Sequence, residues 1–419
     1  MRENSSKSFS ENYWKTIVFT FCLGWTIIWI YRAMLSPIYS EIQGTIGQQT
    51  NAAMGLIASC YFFGYTSMQI PSGFLVDKFG QKKVLIPGFI IFTLGAISIA
   101  LSKTIGTIYM GSVLAGIGCG TYYGAAFSLT AQHVPPSKKG IATAIVNSGS
   151  ALGFIIGMTG SSYVVKTLNM PWQTMVYISA ALIFFMVLWF FFMIKNTSTV
   201  TVKKDNQVKA DTVKEIDSSE KKSSLFSLNM FSCYILYFCT CYAYYLIVTW
   251  LPKFLETERG ITGGLIGLIV SMISVTAVPG ALFFAHLSDK KRDKKSYIII
   301  GLEVAAFVLV AVSMMAPNTS SLAIILLLYG FLGKMAVDPV LISYVSDKAD
   351  KKNLATTLGT FNFFGMSSSI VAPAATGIIM DKTGSGVLGF YIGAFLLIFG
   401  VMFFAVCNAK NFKNAKHTA

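Results

Sequence analysis

Twelve stretches of this sequence are long and apolar enough to cross a lipid bilayer as helices. A spanning helix needs about 20 predominantly apolar residues, because the hydrocarbon core is about 30 Å thick and a helix rises about 1.5 Å per residue. The candidate spans are residues 14–39, 51–76, 83–103, 105–130, 140–165, 173–194, 228–252, 262–287, 295–316, 320–346, 353–380 and 386–407. Charged residues make up only 12% of the chain, whereas soluble domains contain about 25%. The sequence therefore predicts an all-α membrane protein with twelve transmembrane helices.

Lysine and arginine are concentrated on one predicted side of the membrane. Most of the 33 basic residues lie in the two chain ends, in the stretch 195–227 and in the loops that follow the even-numbered spans. Cytoplasmic loops of membrane proteins carry such an excess, so we expect a multi-pass protein of the cell membrane with both termini in the cytoplasm. This topology also accounts for the formal net charge of +15, and we expect a lipid bilayer but no nucleic acid among the partners.

Residues 195–227 separate the first six spans from the last six. The segment is polar and rich in Lys, Asp, Ser and Thr, a composition typical of flexible linkers. We expect an N-terminal six-helix bundle at 1–194, a cytoplasmic linker at 195–227, and a C-terminal six-helix bundle with a cytoplasmic tail at 228–419.

The two halves repeat each other in sequence. Asp77 follows the second span and Asp289 follows the eighth, an offset of 212 residues. The similar sequences KKGIATAIVN and KKNLATTLGT begin at Lys138 and Lys351, an offset of 213. Two sites at nearly one offset indicate duplication in the same orientation. The sequence therefore predicts two pseudo-symmetric bundles that rock against each other, with a substrate site near the bilayer midplane between them.

The loop between the second and third spans carries a motif within GYTSMQIPSGFLVDKFGQKK, residues 64–83. It resembles the signature of the major facilitator superfamily, Gly-x-x-x-Asp-(Arg/Lys)-x-Gly followed by basic residues. The matching residues are Gly73, Asp77, Lys78, Gly80, Lys82 and Lys83. With the repeat, the resemblance covers the whole chain. It implies a gate, in which the aspartate pairs with a cation on a neighbouring helix in one state only and the glycines allow close helix approach.

A narrower resemblance is to the anion:cation symporter family of organic-acid transporters. It rests on the late arginine in the first span, GYTSMQIPSG in the second, NSGSALG in the fifth, WLP at the end of the seventh, and the run NFFGMSSS in the eleventh. Two positions depart from that family, because Tyr31 and Cys119 stand where its members usually carry the Asp and Glu associated with proton coupling. Symport through another group, uniport and anion exchange all stay open, and phosphate-ester transport is a related alternative.

Arg32 is a permanent cation within the apolar run WTIIWIYRAMLS. It lies 17 residues after Lys15, or about 26 Å along a helix. A charge at the bilayer centre costs about 2.5–3.5 kcal/mol and usually marks a substrate path. Arginine binds planar anions through two parallel hydrogen bonds, so we predict that Arg32 binds a carboxylate or phosphate. The alternative is that its side chain extends to the outer membrane surface.

Lys334, in YGFLGKMAVDPVL, lies about 20 Å from either end of its span. Asp338 follows one helical turn later, and Pro339 predicts a kink. The two charges form either a structural pair or a second anion contact whose protonation or pairing changes during transport. Asp338 is the first candidate for a coupling proton. Glu303 in the ninth span is the second, with pairing to loop cations as its alternative role.

The repeat also relates the cations to tyrosines. Adding the offset of 212 to Arg32 gives Tyr244, and subtracting it from Lys334 gives Tyr122. Tyrosine offers an apolar ring and a donor hydroxyl, which suit a small hydroxylated acid, although packing is the simpler role. The narrower resemblance adds three further substrate-binding candidates, which are Tyr65, Ser150 and Asn362.

Together these features predict secondary active transport of a small organic anion (a carboxylate, dicarboxylate or sugar acid) by alternating access, coupled to protons or to a counter-anion. The sequence contains no nucleotide-binding loop, metal-ligand cluster or catalytic triad. We therefore expect a monomeric transporter without cofactor or metal rather than an enzyme. Export of drugs or lipophilic compounds is the main alternative, although NSGSALGFIIGMTG in the fifth span lacks the proline of such exporters. A channel or receptor would instead show current or signalling without uphill flux.

Overall fold

A computed structural model describes residues 2–135, 138–195, 227–350 and 354–408 of the chain. Residues 196–226 of the predicted linker, the tail after Asn408 and Lys351 of the second repeat sequence lie outside this part. Throughout the described ranges the secondary structure is helical, without a strand. All twelve predicted spans coincide with helices there, which confirms the all-α prediction.

The helices of the first half are α1 (Arg2–Met34), α2 (Tyr39–Ile46), α3 (Asn51–Phe79), α4 (Gln81–Ala100), α5 (Ile105–Gly120), α6 (Tyr122–His133), α7 (Lys139–Ser162) and α8 (Trp172–Met193). Those of the second half are α9 (Leu228–Thr257), α10 (Leu265–Lys290), α11 (Lys295–Ser313), α12 (Thr319–Leu332), α13 (Lys334–Lys348), α14 (Leu354–Thr383) and α15 (Val387–Cys407). A short 3-10 turn joins α1 to α2, and a π-helical turn at Tyr163–Thr167 ends α7.

By length and composition, ten helical stretches in the described part could each cross a membrane. The predicted spans 51–76 and 105–130 are not among the ten. The second of these is divided at Thr121 into α5 and α6, with 16 and 12 residues. The first, α3, is long enough with 29 residues but includes polar residues such as Gln69 and Asp77. Both segments nevertheless pack within the same bundle as their neighbours.

The helix breaks repeat at the offset seen in the sequence. The fourth span is interrupted at Thr121 and the tenth at Gly333, and these positions are 212 residues apart. Tyr122 and Lys334 therefore begin equivalent helices, α6 and α13. The agreement confirms the duplication and places the intramembrane lysine directly after a helix break.

The helix that carries Arg32 is held tightly against α7 by small residues. Three glycines stand at every fourth position of α7, namely Gly149, Gly153 and Gly157. A Cβ atom at any of them would collide with carbonyl oxygens of α1, those of Cys22, Thr26 and Ile30. Such close backbone approach is typical of packed membrane helices, and it fixes α1 within the first bundle.

The halves meet through backbone contacts at one face of the molecule. Gly267 of α10 lies against the Met158 carbonyl of α7, and Gly377 of α14 lies against Asn51 of α3. We call this the outer face, because it holds the loops after α2, the π turn, α9 and α14, which the lysine distribution predicts to be extracytoplasmic. The contacts pack α7 on α10 and α3 on α14.

Candidate functional site

Arg32 lies inside a cage of aromatic rings contributed by two helices. On α1, Trp25 and Trp29 precede it by seven and three residues and so share its helix face. On α3, Tyr61 and Tyr65 are likewise one turn apart. The distances from Arg32 Cζ to the ring centroids are 4.3 Å for Tyr65, 5.2 Å for Trp29, 5.4 Å for Trp25, and 5.5 Å for Tyr61 and Phe62. Each cation–π contact contributes about 0.5–2 kcal/mol, which stabilises a charge within the membrane.

The guanidinium has few polar partners within the protein. Its Nε donates a hydrogen bond to the Tyr61 hydroxyl at 2.9 Å, and its Nη2 lies 3.8 Å from Cys119 Sγ. Among the ion pairs of the described residues, none includes Arg32. Arginine has five N–H donors, so most of its hydrogen-bonding capacity is available to a ligand. The sequence did not reveal Tyr61, although its one-turn spacing from Tyr65 is consistent with a shared helix face.

Lys334 is arranged differently, because an acid neutralises it. Its Nζ lies 2.6 Å from Asp338 Oδ2, one turn later on α13. The same ammonium lies over the rings of Tyr244 and Tyr237, 5.5 and 5.7 Å from their centroids. The second oxygen of Asp338, Oδ1, is buried and accepts no hydrogen bond from the described residues. The predicted pairing one turn apart is therefore present in the structure.

Two tyrosines of α9 connect the cations. Tyr244 lies beneath the Lys334 ammonium, Tyr245 lines the same cavity as Arg32, and the two tyrosine rings meet edge to face with centroids 5.5 Å apart. The Tyr245 ring also meets Phe62 of α3 edge to face, with centroids 4.8 Å apart. The Arg32 cage of the first half is thus in direct contact with the aromatic surroundings of Lys334 in the second half.

A small cavity between the halves reaches Arg32 from the outer face. Its volume is about 40 Å³, and its lining includes Arg32, Ser36, Tyr245 and Val248. This is room for a few water molecules and too little for a sugar acid. The Ser36 hydroxyl donates to the Val248 carbonyl at 3.0 Å, so the two halves touch beside the cavity.

The other predicted binding residues occupy different environments. Tyr122 is fully buried, its hydroxyl donates to the Phe21 carbonyl, and its ring stacks on Trp25 at 5.3 Å. Ser150 is buried and donates to the carbonyl of its neighbour Asn147 at 2.6 Å. Asn362 is exposed and lies 3.5 Å from Gln69 of α3. Asn362 thus bridges the halves, whereas Tyr122 supports the Arg32 cage from behind.

Glu303 on α11 is fully buried, away from loop cations. Thr240 of α9 donates a hydrogen bond to its Oε1, while Oε2 is buried without a hydrogen bond from the described part of the chain. No ion pair of the described residues includes Glu303. Among the described residues, Thr240 is therefore the hydrogen-bond partner of this carboxyl group, and its second oxygen has none.

The superfamily motif forms the turn between α3 and α4. Gly80 has φ +87°, a backbone conformation that favours glycine, and it separates the two helices. Asp77 and Lys78 are exposed, and so is Lys83. Lys82 donates to the Phe191 carbonyl of α8 at 2.5 Å. Gly73 has open space where a Cβ would lie. In this structure the motif is a solvated turn attached to α8.

An ion cluster around a buried lysine at the outer face was not predicted from the sequence. Lys166, in the π turn, is 4% exposed and lies 2.7 Å from Glu41 Oε1 while also contacting Glu256 of α9. Ser40 donates to the other Glu256 oxygen at 2.7 Å. The cluster joins the halves, and π turns of this kind are frequent at functional sites. Each of these charges lies near a helix end, where the sequence alone indicates only a solvated loop.

A carboxylate of the second half also caps a helix of the first. Asp381 of α14 accepts hydrogen bonds from the backbone and side-chain nitrogens of Asn51 at 2.7 and 2.8 Å, and from Ala52 N at 2.8 Å. Anions are stabilised at helix N-termini, where backbone N–H groups are free. This contact ties α14 to the start of α3 at the outer face.

Comparison with known proteins supplies the family. The sequence profile described as Major Facilitator Superfamily matches residues 17–373. The hexuronate transporter of Bacillus subtilis (strain 168) is 26% identical over 422 residues, covering 95% of this chain and 94% of that protein. The probable sulfoacetate transporter SauU of Cupriavidus necator is 27% identical, covering 91% and 90%. The probable galactarate/D-glucarate transporter GudP of Bacillus subtilis is 25% identical, covering 88% and 86%.

The fold has a counterpart among solved structures. A bacterial homologue of the human lysosomal transporter Spinster, solved in an inward-facing and unoccupied conformation, superposes with a TM-score of 0.72. The two sequences are 14% identical, and the match covers 96% of this chain and 97% of that one. The likeness concerns the fold, and the curated relatives named for acid transport confirm the narrower resemblance seen in the sequence. The chain is a multi-pass membrane protein and belongs to the Major Facilitator Superfamily.

Proposed function

We propose that this protein is a secondary active transporter of a small organic anion, and that Arg32 binds the carboxylate of the substrate. The observation that carries the proposal is a permanent cation at the junction of the halves that no described acid neutralises. An unpaired charge inside a membrane protein costs free energy. A bound anion would neutralise the charge of Arg32 and lower that cost. The relatives named for hexuronate, sulfoacetate and galactarate/D-glucarate transport support this substrate class.

The contacts between the halves support alternating access from an inward-open state. At the outer face, Lys166 and Asp381 hold the halves together, and the cavity beneath them has only about 40 Å³. Asp77 and Lys78 of the superfamily motif are exposed at the opposite face. In the proposed cycle, bound substrate bridges the halves, the outer contacts break, and the motif forms its pairs on the closing side.

Proton coupling is the finer part of the proposal. The positions where related symporters carry acids hold Tyr31 and Cys119, both buried. Asp338 and Glu303 each have one buried oxygen without a hydrogen bond from the described residues, and Asp338 lies beside the site. If Asp338 carries the coupling proton, Asp338→Asn abolishes acceleration of uptake by an inward proton gradient but preserves exchange of substrate for substrate. Unchanged acceleration would favour Glu303 or a counter-anion instead.

We also propose a cell-membrane location with both termini in the cytoplasm. The basis is the excess of lysine and arginine in the linker, the chain ends and alternate loops. A reporter that functions only in the cytoplasm, fused after the last residue, should be active. The same reporter inserted after Gly260, in the outer loop that follows α9, should be inactive.

The decisive experiment for the substrate class is a thermal-shift screen of the purified full-length protein. A ligand that binds the folded state stabilises it by mass action, about 2.7 kcal/mol at 100 times its Kd. The panel contains monocarboxylates, dicarboxylates, sugar acids, phosphate esters and lipophilic cations. We expect an organic acid to raise the melting temperature of the wild type and not of Arg32→Gln. Arg292→Gln is the matched control, because Arg292 is exposed in the loop before α11.

The export of lipophilic compounds predicts the opposite pattern. Its usual signature is an acidic cavity that attracts cations. The charges beside Tyr245 and Tyr244 are instead Arg32 and the neutralised pair Lys334–Asp338. Stabilisation by lipophilic compounds alone, equal in the wild type and Arg32→Gln, would replace the organic-anion proposal with export.

A further inference from the structure

The number of free charges at the site limits the charge of its substrate. Arg32 has aromatic neighbours and no described acid partner, so it contributes one uncompensated positive charge. Lys334 contributes none, because Asp338 lies 2.6 Å from it. The remaining carboxyl of this region, Glu303, is fully buried, receives a hydrogen bond from Thr240 and belongs to no ion pair of the described residues, so loss of hydration favours its neutral form. The site therefore presents a net charge of one positive unit to a ligand.

Several contacts hold the Lys334–Asp338 pair in place. The two residues are one turn apart on the same helix, so their separation does not depend on how the halves move. Lys334 is also held over the rings of Tyr237 and Tyr244. Its side chain is only 10% exposed. A ligand carboxylate would have to displace Asp338 and leave that acid without a cation, which is strongly unfavourable in a buried site.

The other polar groups near the cations are neutral. Tyr65 stacks on Arg32, Tyr244 lies beneath the Lys334 ammonium, Tyr245 lines the cavity beside Arg32, and Asn362 faces Gln69 across the halves. Hydroxyl and amide groups of this kind form hydrogen bonds with substrate hydroxyls. They do not neutralise a second carboxylate on the substrate. That carboxylate would lose its hydration without gaining a cationic partner.

We propose that Asp338 determines the charge of the transported acid, because by neutralising Lys334 it restricts the site to monoanions. The substrate would bind Arg32 through its one carboxylate, and the rest of the molecule would be uncharged and hydroxylated. This inference rests on the proposed function and applies to substrate binding while Asp338 is ionised and paired with Lys334. It separates two classes that the named relatives both contain, a hexuronate with one carboxylate and a glucarate with two.

The test compares two linear sugar acids with the same carbon skeleton and the same hydroxyl stereochemistry at carbons 2 to 5. D-Gluconate carries one carboxylate and D-glucarate carries two, so the comparison isolates the second charge. D-Glucuronate is added as a cyclic monoanion. Affinities are measured by titration calorimetry on the purified full-length protein at pH 7. We expect the wild type to bind at least one monoanion about tenfold or more tightly than D-glucarate, because the second carboxylate remains unpaired.

Two variants reverse or restore this order. Asp338→Asn frees the charge of Lys334, so D-glucarate should gain at least about tenfold relative to D-gluconate. The double variant Lys334→Gln with Asp338→Asn removes both charges and should again prefer the monoanion. An unchanged order in Asp338→Asn would overturn the assignment of Asp338. The wild-type comparison needs no variant, so poor folding of Asp338→Asn leaves the inference testable.

The outcomes also separate this inference from the proposed function. If D-glucarate binds the wild type as tightly as the monoanions or more tightly, the protein is still an acid transporter but the monoanion restriction is wrong. If no acid in the wider panel binds and only lipophilic compounds do, the proposed function fails and the restriction fails with it.

Discussion

Arg32 and Lys334 are both cations inside the membrane region, and the protein stabilises them in opposite ways. Arg32 lies among five aromatic rings and has no described acid partner, whereas Lys334 has Asp338 at 2.6 Å and two rings beside it. Their positions are not equivalent in the repeat, since Tyr244 and Tyr122 occupy the corresponding sites. The comparison indicates that aromatic rings can stabilise a cation and still leave it able to bind an anionic ligand. An acidic partner also stabilises the cation, but it neutralises the charge that a ligand would bind.

The comparison is tested most severely by breaking the Lys334–Asp338 pair. Lys334→Met or Asp338→Leu alone leaves one uncompensated buried charge and should reduce the free energy of unfolding by about 3–5 kcal/mol. The double substitution removes both charges and should lose much less. Chemical or thermal unfolding of the purified variants measures the difference. Asp293→Asn, at an exposed acid of the loop before α11, is the control and should change the free energy of unfolding by about 0.5 kcal/mol or less.

The opposite result would reverse the interpretation of this region. If the double variant is less stable than either single variant, the two residues act separately, and Lys334 is available to a ligand as Arg32 is.

The variant Arg32→Lys tests whether Arg32 acts through its positive charge alone or also through its shape. This change keeps the positive charge but loses the planar fork that binds a carboxylate through two hydrogen bonds. We expect about a tenfold loss in the initial uptake rate at low substrate concentration, equivalent to about 1.4 kcal/mol. Uptake into proteoliposomes measures it, with Arg292→Lys as the exposed control. Full activity of Arg32→Lys would indicate that the charge alone suffices.

The outer ion cluster extends the comparison to ion pairs that should form only when the outer face is closed. In Lys166→Met, Glu41 and Glu256 face each other without their cation, so closure of the outer face weakens. A loss of about 1–2 kcal/mol changes the open population about 5- to 30-fold. A cysteine introduced at Thr249, which lines the outer cavity, should react correspondingly faster with an impermeant thiol reagent.

Two controls accompany this measurement. The protein without the introduced cysteine reports the background from its seven native cysteines. Lys103→Met removes an exposed lysine of an outer loop and should leave the labelling rate unchanged. An equal increase in both lysine variants would mean that surface charge, rather than the cluster, controls access.

The smallest expected effect concerns the cage itself. Tyr61→Phe keeps the ring but removes the hydroxyl that accepts from Arg32 Nε at 2.9 Å. We expect substrate binding to weaken by about 1 kcal/mol, or about fivefold. Tyr31→Phe is the matched control, because the Tyr31 hydroxyl is buried without a hydrogen bond from the described residues. It should have no effect on binding, and an equal loss in both variants would exclude a specific role for the Tyr61 hydroxyl.

The helices and the two cations were predictable from the sequence because they depend on composition along one segment. Apolar length identifies the spans, and the energetic penalty of a charge in the membrane singles out Arg32 and Lys334. The partner Asp338 was also predictable, since it lies one turn away on the same helix.

Features that join distant segments could not be predicted in the same way. Tyr61 meets Arg32 only because α1 and α3 belong to one bundle, and Lys166 meets Glu256 only because the halves close at the outer face. The break at Thr121 lacks a proline, so its match to Gly333 became evident only in the structure. Local patterns contain no information about these contacts.

The central claim is that Arg32 pairs with the carboxylate of the substrate. It is tested most directly by comparing D-glucuronate with its neutral amide, D-glucuronamide, on the wild type and on Arg32→Gln by titration calorimetry. The two ligands differ in one group, which is a charged carboxylate in the acid and a neutral amide with N–H donors in its counterpart. The wild type should prefer the acid about 30-fold or more, as expected for a charge-assisted bidentate contact, and Arg32→Gln should bind both equally. A preference for the acid that persists in Arg32→Gln would contradict the claim.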